Sequence, residues 1–496
     1  MSLLARAADA LWDPWLLGFF LLTGLLLSLG CGFFPLFRVR LWLSATLGSL
    51  FRPRDRPVRG ISSLQALSTA LASTIGTGSI AGVAAAIYLG GPGAVFWMWV
   101  SALLGMATSC VEKLLAVRYH CPSPDGGWQG GPMYYLRDGL HCPVLAAWFA
   151  LACLPATLAG GNLIQSGSIA SALHAALGWD RLAVGLGTAL LAGLILTGGM
   201  GRVARVAQRL VPAMALLYLG SGLAVLLLRR EQLPRALALI FSSALSPSAA
   251  LGGGAGYTLL TALRHGVARG VFTNEAGLGT SAMAHGAAQV DHPARQGMWG
   301  IFEVFCSTLV VCTVTALVIL VSGAYDPEAA LAQLQTGVVP DAAMGVPLTA
   351  RAFSSVLGPA GTWAVSLSLI LFAFSSILGW SCYGQQSLRF LTGGDRLLPT
   401  YRAVFLLCTV LGAVADVSPL WQLVDLCNAL MALPNLAAIL LLAPRALSCL
   451  AEWERAQTAP EQSGPRTPWR SPGAACCSSL VNPGVCPGTG AGTGTG

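Results

Sequence analysis

From Ile61 to Val111 the chain carries no charged side chain. A hydrocarbon layer about 30 Å thick is crossed by a helix of roughly 20 apolar residues. The stretch therefore holds two crossings, and Gly90-Gly91-Pro92-Gly93 supplies a turn between them. The rest of the chain is built alike. Only 10% of its 496 residues are charged and 55% are hydrophobic, where a soluble domain carries about 25% charge. Such a chain cannot cover a water-facing surface, and it is too apolar to be disordered over most of its length. Its main solvent is lipid.

The remaining runs repeat the pattern. Pro14 to Phe37 is uncharged, and Arg38, Arg40, Arg52, Arg54, Arg56 and Arg59 come directly after it. By the positive-inside rule this cluster is cytoplasmic, which puts the N-terminus outside. Glu112, Lys113, Arg118 and His120 read as a second return to the cytoplasm. Further spans are expected over Pro143 to Leu177, Leu182 to Met200, Leu210 to Leu228, Gly256 to Met283, Gly297 to Ser322, Gly361 to Leu391, Ala403 to Ala415 and Leu420 to Ala443. The expected organisation is an all-α polytopic membrane protein of about eleven helices. Residues 1–60 form an N-terminal helix and basic loop, 61–230 a first five-helix repeat, and 231–255 an outer connecting loop. Residues 256–447 form a second, inverted five-helix repeat. Residues 448–496, rich in Pro, Gly, Ser and Thr and containing Cys476-Cys477, read as a disordered cytoplasmic tail. Net charge is +8, but the basic residues sit between apolar runs and suggest no nucleic-acid partner. The 14 Cys show no metal-ligand spacing and read as small buried hydrophobes or free thiols.

The first helix of each repeat is interrupted: at Ser73-Thr74-Ile75-Gly76-Thr77-Gly78-Ser79 in one and across Gly270 to Gly279 in the other. Interruptions at matching positions of two inverted halves point to a transporter binding site near the bilayer midplane. Glycine lets the helix unwind, and unwinding frees N–H and C=O groups that lipid cannot satisfy. A half-helix starting near Gly78 offers N–H groups and a positive dipole end to a carboxylate. One ending near Phe272 offers carbonyls to an ammonium or a metal cation. A zwitterionic amino acid matches that pair of ends. The competing reading is close helix packing through Gly78-x-x-x-Gly82 and Gly266-x-x-x-Gly270.

The segment from Ala66 to Val83 resembles the alanine or glycine:cation symporter family. So do Gly90 to Trp99, Gly130 to Tyr135, Gly266 to Gly279 (GVARGVFTNEAGLG) and Phe372 to Ser381. The likeness covers about Ala5 to Leu447. It implies a leucine-transporter-type 5+5 inverted repeat with one extra N-terminal helix, broken first and sixth core helices, and uptake of alanine or glycine with Na⁺ or H⁺ by alternating access. It also implies site residues. Gly76, Thr77, Gly78 and Ser79 would bind the substrate carboxylate, Ser79 standing where the family usually has Asn. Gln165 would be a polar contact, Phe272, Thr273 and Asn274 would line the amino-group side, and Ile377 and Trp380 would cap a small side-chain pocket. Ser375 and Ser376, with carbonyls of Ala72 and Ile75, would hold Na⁺ in an all-oxygen site suited to a hard cation. The implied location is the plasma membrane of a prokaryote, with the C-terminus cytoplasmic. No cofactor and no obligate protein partner is implied.

Glu303, Asp425 and Glu275 fall within apolar surroundings, where a carboxylate costs about 2.5–3.5 kcal/mol. Structural pairing is the expectation for Glu303 and Asp425, and bracing of the unwound backbone for Glu275; all three are candidates for proton coupling. Ser281 and His285 lack the elbow that a hydrolase needs. A channel would need a ring of like charge or a filter repeat, and neither is present. Saturable uphill uptake would separate transport from passive flow.

Overall fold

A computed structural model of the protein describes residues 10–12, 14–51, 60–123, 126–245, 259–336, 344–417 and 420–458. The basic cluster from Arg52 to Arg59, the last part of the expected 231–255 connection and the Cys476-Cys477 tail lie outside the described residues.

The described chain is helical except for a two-residue-per-strand hairpin, Cys121–Pro122 with Trp128–Gln129. Among the described residues, six helices are long and apolar enough to cross a membrane, and a seventh crossing is made if one bent pair counts as a single span. Shorter apolar helices cover Trp15–Gly30, Val39–Phe51, Arg181–Leu196 and Leu398–Val414. The bent pair is α1 (Ser63–Thr74) and α2 (Gly78–Gly90), turned 52° at the break. α1 begins at a capping box. The Ser62 hydroxyl accepts the Gln65 N–H at 3.3 Å, and the Gln65 side chain accepts the Ser62 N–H at 3.0 Å. Such reciprocal caps satisfy donors that a helix start would otherwise orphan.

The centre of the protein is α3 (Gly93–Arg118). Two helices close on it through glycines. α4 (Leu259–Asn274) brings Gly266, where a Cβ would lie 2.4 Å from the Ala94 carbonyl oxygen, and Gly270, where it would lie 3.1 Å from Ser101. Pro293–Val304 brings Gly300, where a Cβ would lie 2.8 Å from the Ser109 carbonyl oxygen. Membrane helices lack a hydrophobic drive toward one another, so backbones that approach closely gain dispersion instead. The packing reading of Gly266-x-x-x-Gly270 thus holds for that pair.

Several segments expected as loops are helical. Leu233–Leu245 and Val346–Leu357 are amphipathic rather than uniformly apolar, and each buries only one face. The last helix runs Leu420–Thr458, past the expected start of the tail, with Trp453 buried and Glu454 paired to Arg38 at 2.7 Å. Glu112 and Lys113, read as part of a return to the cytoplasm, are not on the surface of the protein. Both are fully buried within α3, and Lys113 Nζ sits 2.9 Å from Glu112 Oε2 and 3.5 Å from Glu303 Oε2. The partner that lets them stay inside lies far along the chain.

Candidate functional site

Both expected interruptions are real bends of the backbone. α1 stops at Thr74, Ile75 takes φ −84° and ψ 77°, and α2 starts at Gly78 in a wide i→i+5 turn over Gly78–Gly82. α4 stops at Asn274 and the chain resumes as α5 (Thr280–Gly286). Glu275, Gly277 and Gly279 between them all have positive φ, at 54°, 90° and 87°. Such angles suit glycine; for Glu275 they carry strain. The Glu275 carboxylate accepts the Thr280 hydroxyl at 2.5 Å and Leu278 N–H returns to the Glu275 carbonyl, so this residue ties the unwound turn to the next half-helix. Two of the half-helices, α1 and α5, are joined near their far ends as well: the Gln289 N–H donates to the Ile61 carbonyl at 3.0 Å.

The two breaks face one cavity, about 480 Å³ of atom-free space with its mouth included. Gly76 and Gly78 form one wall, and Phe272 and Glu275 the facing one. A Cβ on Gly78 would sit 3.1 Å from the Phe272 ring, so the glycine is what lets the second break approach the first. Gln165 and Trp380 close the sides. Gln165 belongs to α6 (Pro143–Leu177), which carries a wide turn at Ala159–Leu163. Its amide nitrogen donates to the Gly160 carbonyl at 3.1 Å, leaving Oε1 without a partner in the protein. Trp380 belongs to α7 (Pro359–Thr392) and packs directly on Gly161, where a Cβ would fall 2.3 Å from it.

Other expected residues stand just behind this wall. Thr77 is buried beside it. The Ser79 N–H is taken by the Gly76 carbonyl at 3.2 Å, its carbonyl accepts Thr315, and its hydroxyl has no partner. Thr273 donates to Gly270 and meets the Thr308 hydroxyl at 3.4 Å. Asn274 accepts the Ala276 N–H, which caps the end of α4. Ile377, like these four, does not line the cavity. It packs with Ile169, Ala170 and Phe405 in a separate apolar cluster, because three residues along a helix shift a side chain by a turn in height and by about 60° around the axis.

Ser375 and Ser376 both aim their hydroxyls at one carbonyl, that of Ala72, at 3.1 and 3.2 Å. A Cβ on Gly76 would come 2.7 Å from Ser376 Oγ, so the unwound turn and the serine pair are in contact. Ile75 is buried at this turn. Sequence reasoning missed Trp421 and Asn428 on α8 (Leu420–Thr458). Both line the cavity, and Asn428 Oδ1 has no partner in the protein. The carboxamides Asn428 and Asn435 within the otherwise apolar LVDLCNALMALPNL were the available signal.

A loop covers the far end of α5. His120 stacks on Trp128 at 4.1 Å, and its Nδ1 lies 3.2 Å from the Gly286 carbonyl. Burial pushes the His120 imidazole down to about 4, against the raising effect of that contact.

A family model described as the sodium:alanine symporter family matches residues 1–466. The chain belongs to the sodium:alanine symporter family. Its members are membrane transporters and not enzymes. This symporter-family chain is 41% identical to an uncharacterized transporter of Haemophilus influenzae, over 88% of this chain and 93% of that one. It is 39% identical to the sodium/alanine symporter AgcS of Methanococcus maripaludis, over 89% and 94%. A probable sodium/glutamine symporter, GlnT, of Bacillus subtilis is 36% identical over 91% and 90%. Among solved structures, a manganese transporter of Eremococcus coleocola aligns over 82% of each chain at 16% identity with a TM-score of 0.50, a likeness of fold alone.

Proposed function

We propose that this symporter takes up a small neutral amino acid, alanine or glycine, coupled to Na⁺, by alternating access. The reading rests on one observation above all: two helix breaks of opposite polarity border a single cavity, with the Ser375–Ser376 pair against the back of the first. The start of α2 at Gly78 presents N–H groups to the substrate carboxylate, and the end of α4 presents carbonyls to its ammonium. Gln165 Oε1 and Asn428 Oδ1 are acceptors for that same ammonium. Trp380 and Phe272 crowd the remaining space, so a methyl or hydrogen side chain fits better than a long one. Na⁺ binds the two serine hydroxyls and the Ala72 carbonyl, with Ile75 as a further carbonyl donor.

The helices are those of a five-plus-five inverted repeat after one additional N-terminal helix, eleven crossings in all, in the plasma membrane of a prokaryote with the C-terminus inside. Relatives named for sodium and alanine support the choice of ion and substrate, and one named for glutamine marks the competing substrate. The test is uptake by purified protein in proteoliposomes, with labelled alanine competed by glycine, D-alanine and glutamine, and with Na⁺ present or replaced by K⁺. Alanine or glycine should accumulate uphill only with Na⁺. No amino-acid uptake under any imposed Na⁺ or H⁺ gradient overturns the proposal.

A further inference from the structure

Away from the cavity, four ionisable side chains meet where α3, α5 and the Pro293–Val321 helix join. Glu112, Lys113, His285 and Glu303 are each fully buried. Lys113 Nζ lies 2.9 Å from Glu112 Oε2 and 3.5 Å from Glu303 Oε2, and His285 Nε2 lies 3.3 Å from that same Glu303 oxygen. Glu112 is held as an acceptor on its other side, since the Asn435 amide donates to Oε1 at 2.6 Å. Tyr135 bonds the Asn435 oxygen beyond it.

The charges in this group do not balance. Two carboxylates face one ammonium. An ion left uncompensated out of water costs several kcal/mol, and a buried group under that pressure changes its protonation rather than bearing it. The contact between His285 and Glu303 is where the missing charge fits. His285 Nδ1 lies 2.7 Å from Gln296 Oε1 and donates to it, so Nε2 of a neutral ring points a lone pair at a carboxylate oxygen. Neither Nε2 nor either Glu303 oxygen has a hydrogen-bonding partner as the atoms stand. Turning the Gln296 amide over would repair the ring's donor pattern but would leave the group one positive charge short. The other ionisable groups nearby do not supply it. Glu275 adds a further carboxylate, Tyr135 and Tyr383 are neutral phenols, and His120, which meets the carbonyl of Gly286 next to His285, is held neutral by burial.

We propose that the His285–Glu303 contact is a proton-binding site, separate from the substrate cavity and from the serine pair, which holds one exchangeable proton and so fastens α5 to the Pro293–Val321 helix. The proton sits between Nε2 and Oε2 and makes the group neutral. Its loss sets an acceptor against an anion at 3.3 Å and loosens the inner half of the second broken helix.

Linkage gives the sign. Unfolded, His holds a proton only below about 6.5 and Glu below about 4.3. A proton that the site holds and the unfolded chain releases contributes stability that is lost as pH rises. The experiment is thermal unfolding of the purified full-length protein in detergent from pH 6.5 upward, for the wild type, Glu303→Gln and His285→Gln. Either amide supplies a fixed hydrogen at the contact, but only Glu303→Gln also removes the unbalanced carboxylate. The unfolding constant of the wild type should rise about tenfold for each pH unit by which the folded site outholds the unfolded chain, a factor worth about 1.4 kcal/mol. Glu303→Gln, which removes the unbalanced carboxylate, should be flat over that range, whereas His285→Gln keeps two carboxylates against one ammonium and should keep a slope. Equal slopes in wild type and Glu303→Gln overturn the proposal. So does a wild type whose stability follows Na⁺ concentration at fixed pH with no slope in pH, because Na⁺ would then be the missing charge. No substrate enters the measurement, so a failure of amino-acid uptake is a separate result.

Discussion

Gly161→Ala is the most informative single change at the cavity. The added methyl would lie 2.3 Å from Trp380 Cβ and 2.4 Å from Cγ. Turning the indole does not relieve this, because Cβ is fixed to the α7 backbone. α6 and α7 must separate by about 1 Å before an ordinary contact is reached. Overpacking of this kind costs about 1–3 kcal/mol, against a gain of up to about 1 kcal/mol from replacing Gly by Ala in a helix. With the full helix gain, a net loss of up to about 2 kcal/mol is expected. Trp380 lines the cavity, so its displacement should also weaken substrate binding, by about tenfold for each 1.4 kcal/mol. Gly187→Ala is the control. Nothing lies within 4 Å of the added atom, and only the helix gain of up to about 1 kcal/mol remains. Unfolding temperature in detergent should therefore fall in Gly161→Ala and hold or rise in Gly187→Ala, while KM for uptake in proteoliposomes should rise only in Gly161→Ala. If the two variants behave alike in both measurements, the contact between Trp380 and Gly161 does not set the cavity wall.

Three further outcomes are expected. Replacing Ser375 and Ser376 together by Ala should weaken the Na⁺ dependence of uptake by about tenfold or more, since each hydroxyl bonded to a charged group is worth about 1.5–3 kcal/mol; a Na⁺ titration of uptake checks this. Lys113→Met should cost about 3–5 kcal/mol in thermal or denaturant unfolding, because it strands two buried carboxylates. His120 is held neutral by burial, with its folded value near 4 below the unfolded 6.5. Stability should therefore fall as pH drops below about 6.5 toward 4, and His120→Gln should flatten that limb of the Tm profile.

The all-helical, apolar character of the chain was legible because lipid imposes one solution, a helix with an apolar surface, and that leaves a record in the sequence. The breaks were legible for a related reason. Glycine, serine and threonine clustered inside such a run have no role in a plain crossing, and both clusters became bends at Ile75 and Glu275. Charges were read less well. Glu112 and Lys113 look like interface residues because a single sequence does not reveal that Glu303 and Asn435, about 190 and 320 positions away, receive them. Ile377 was expected at the cavity from the family resemblance, but which face of a buried helix meets which neighbour is decided by packing. Leu233–Leu245 and Val346–Leu357 escaped because their polar faces break the apolar run that marks a crossing.

The wide turn at Ala159–Leu163 bears on how such a site is encoded. An i→i+5 turn accommodates one residue more than an ordinary helical turn, and each residue rotates the remainder of its helix by about 100°. Removing one residue there would leave α6 a continuous, equally apolar rod in the same groove. Gln165 would then swing away from the cavity, and the glycines would no longer meet the indole. The azimuth of the recognition face is thus stored as a count of residues, a form of information that no single side-chain substitution can erase and that a one-codon deletion can.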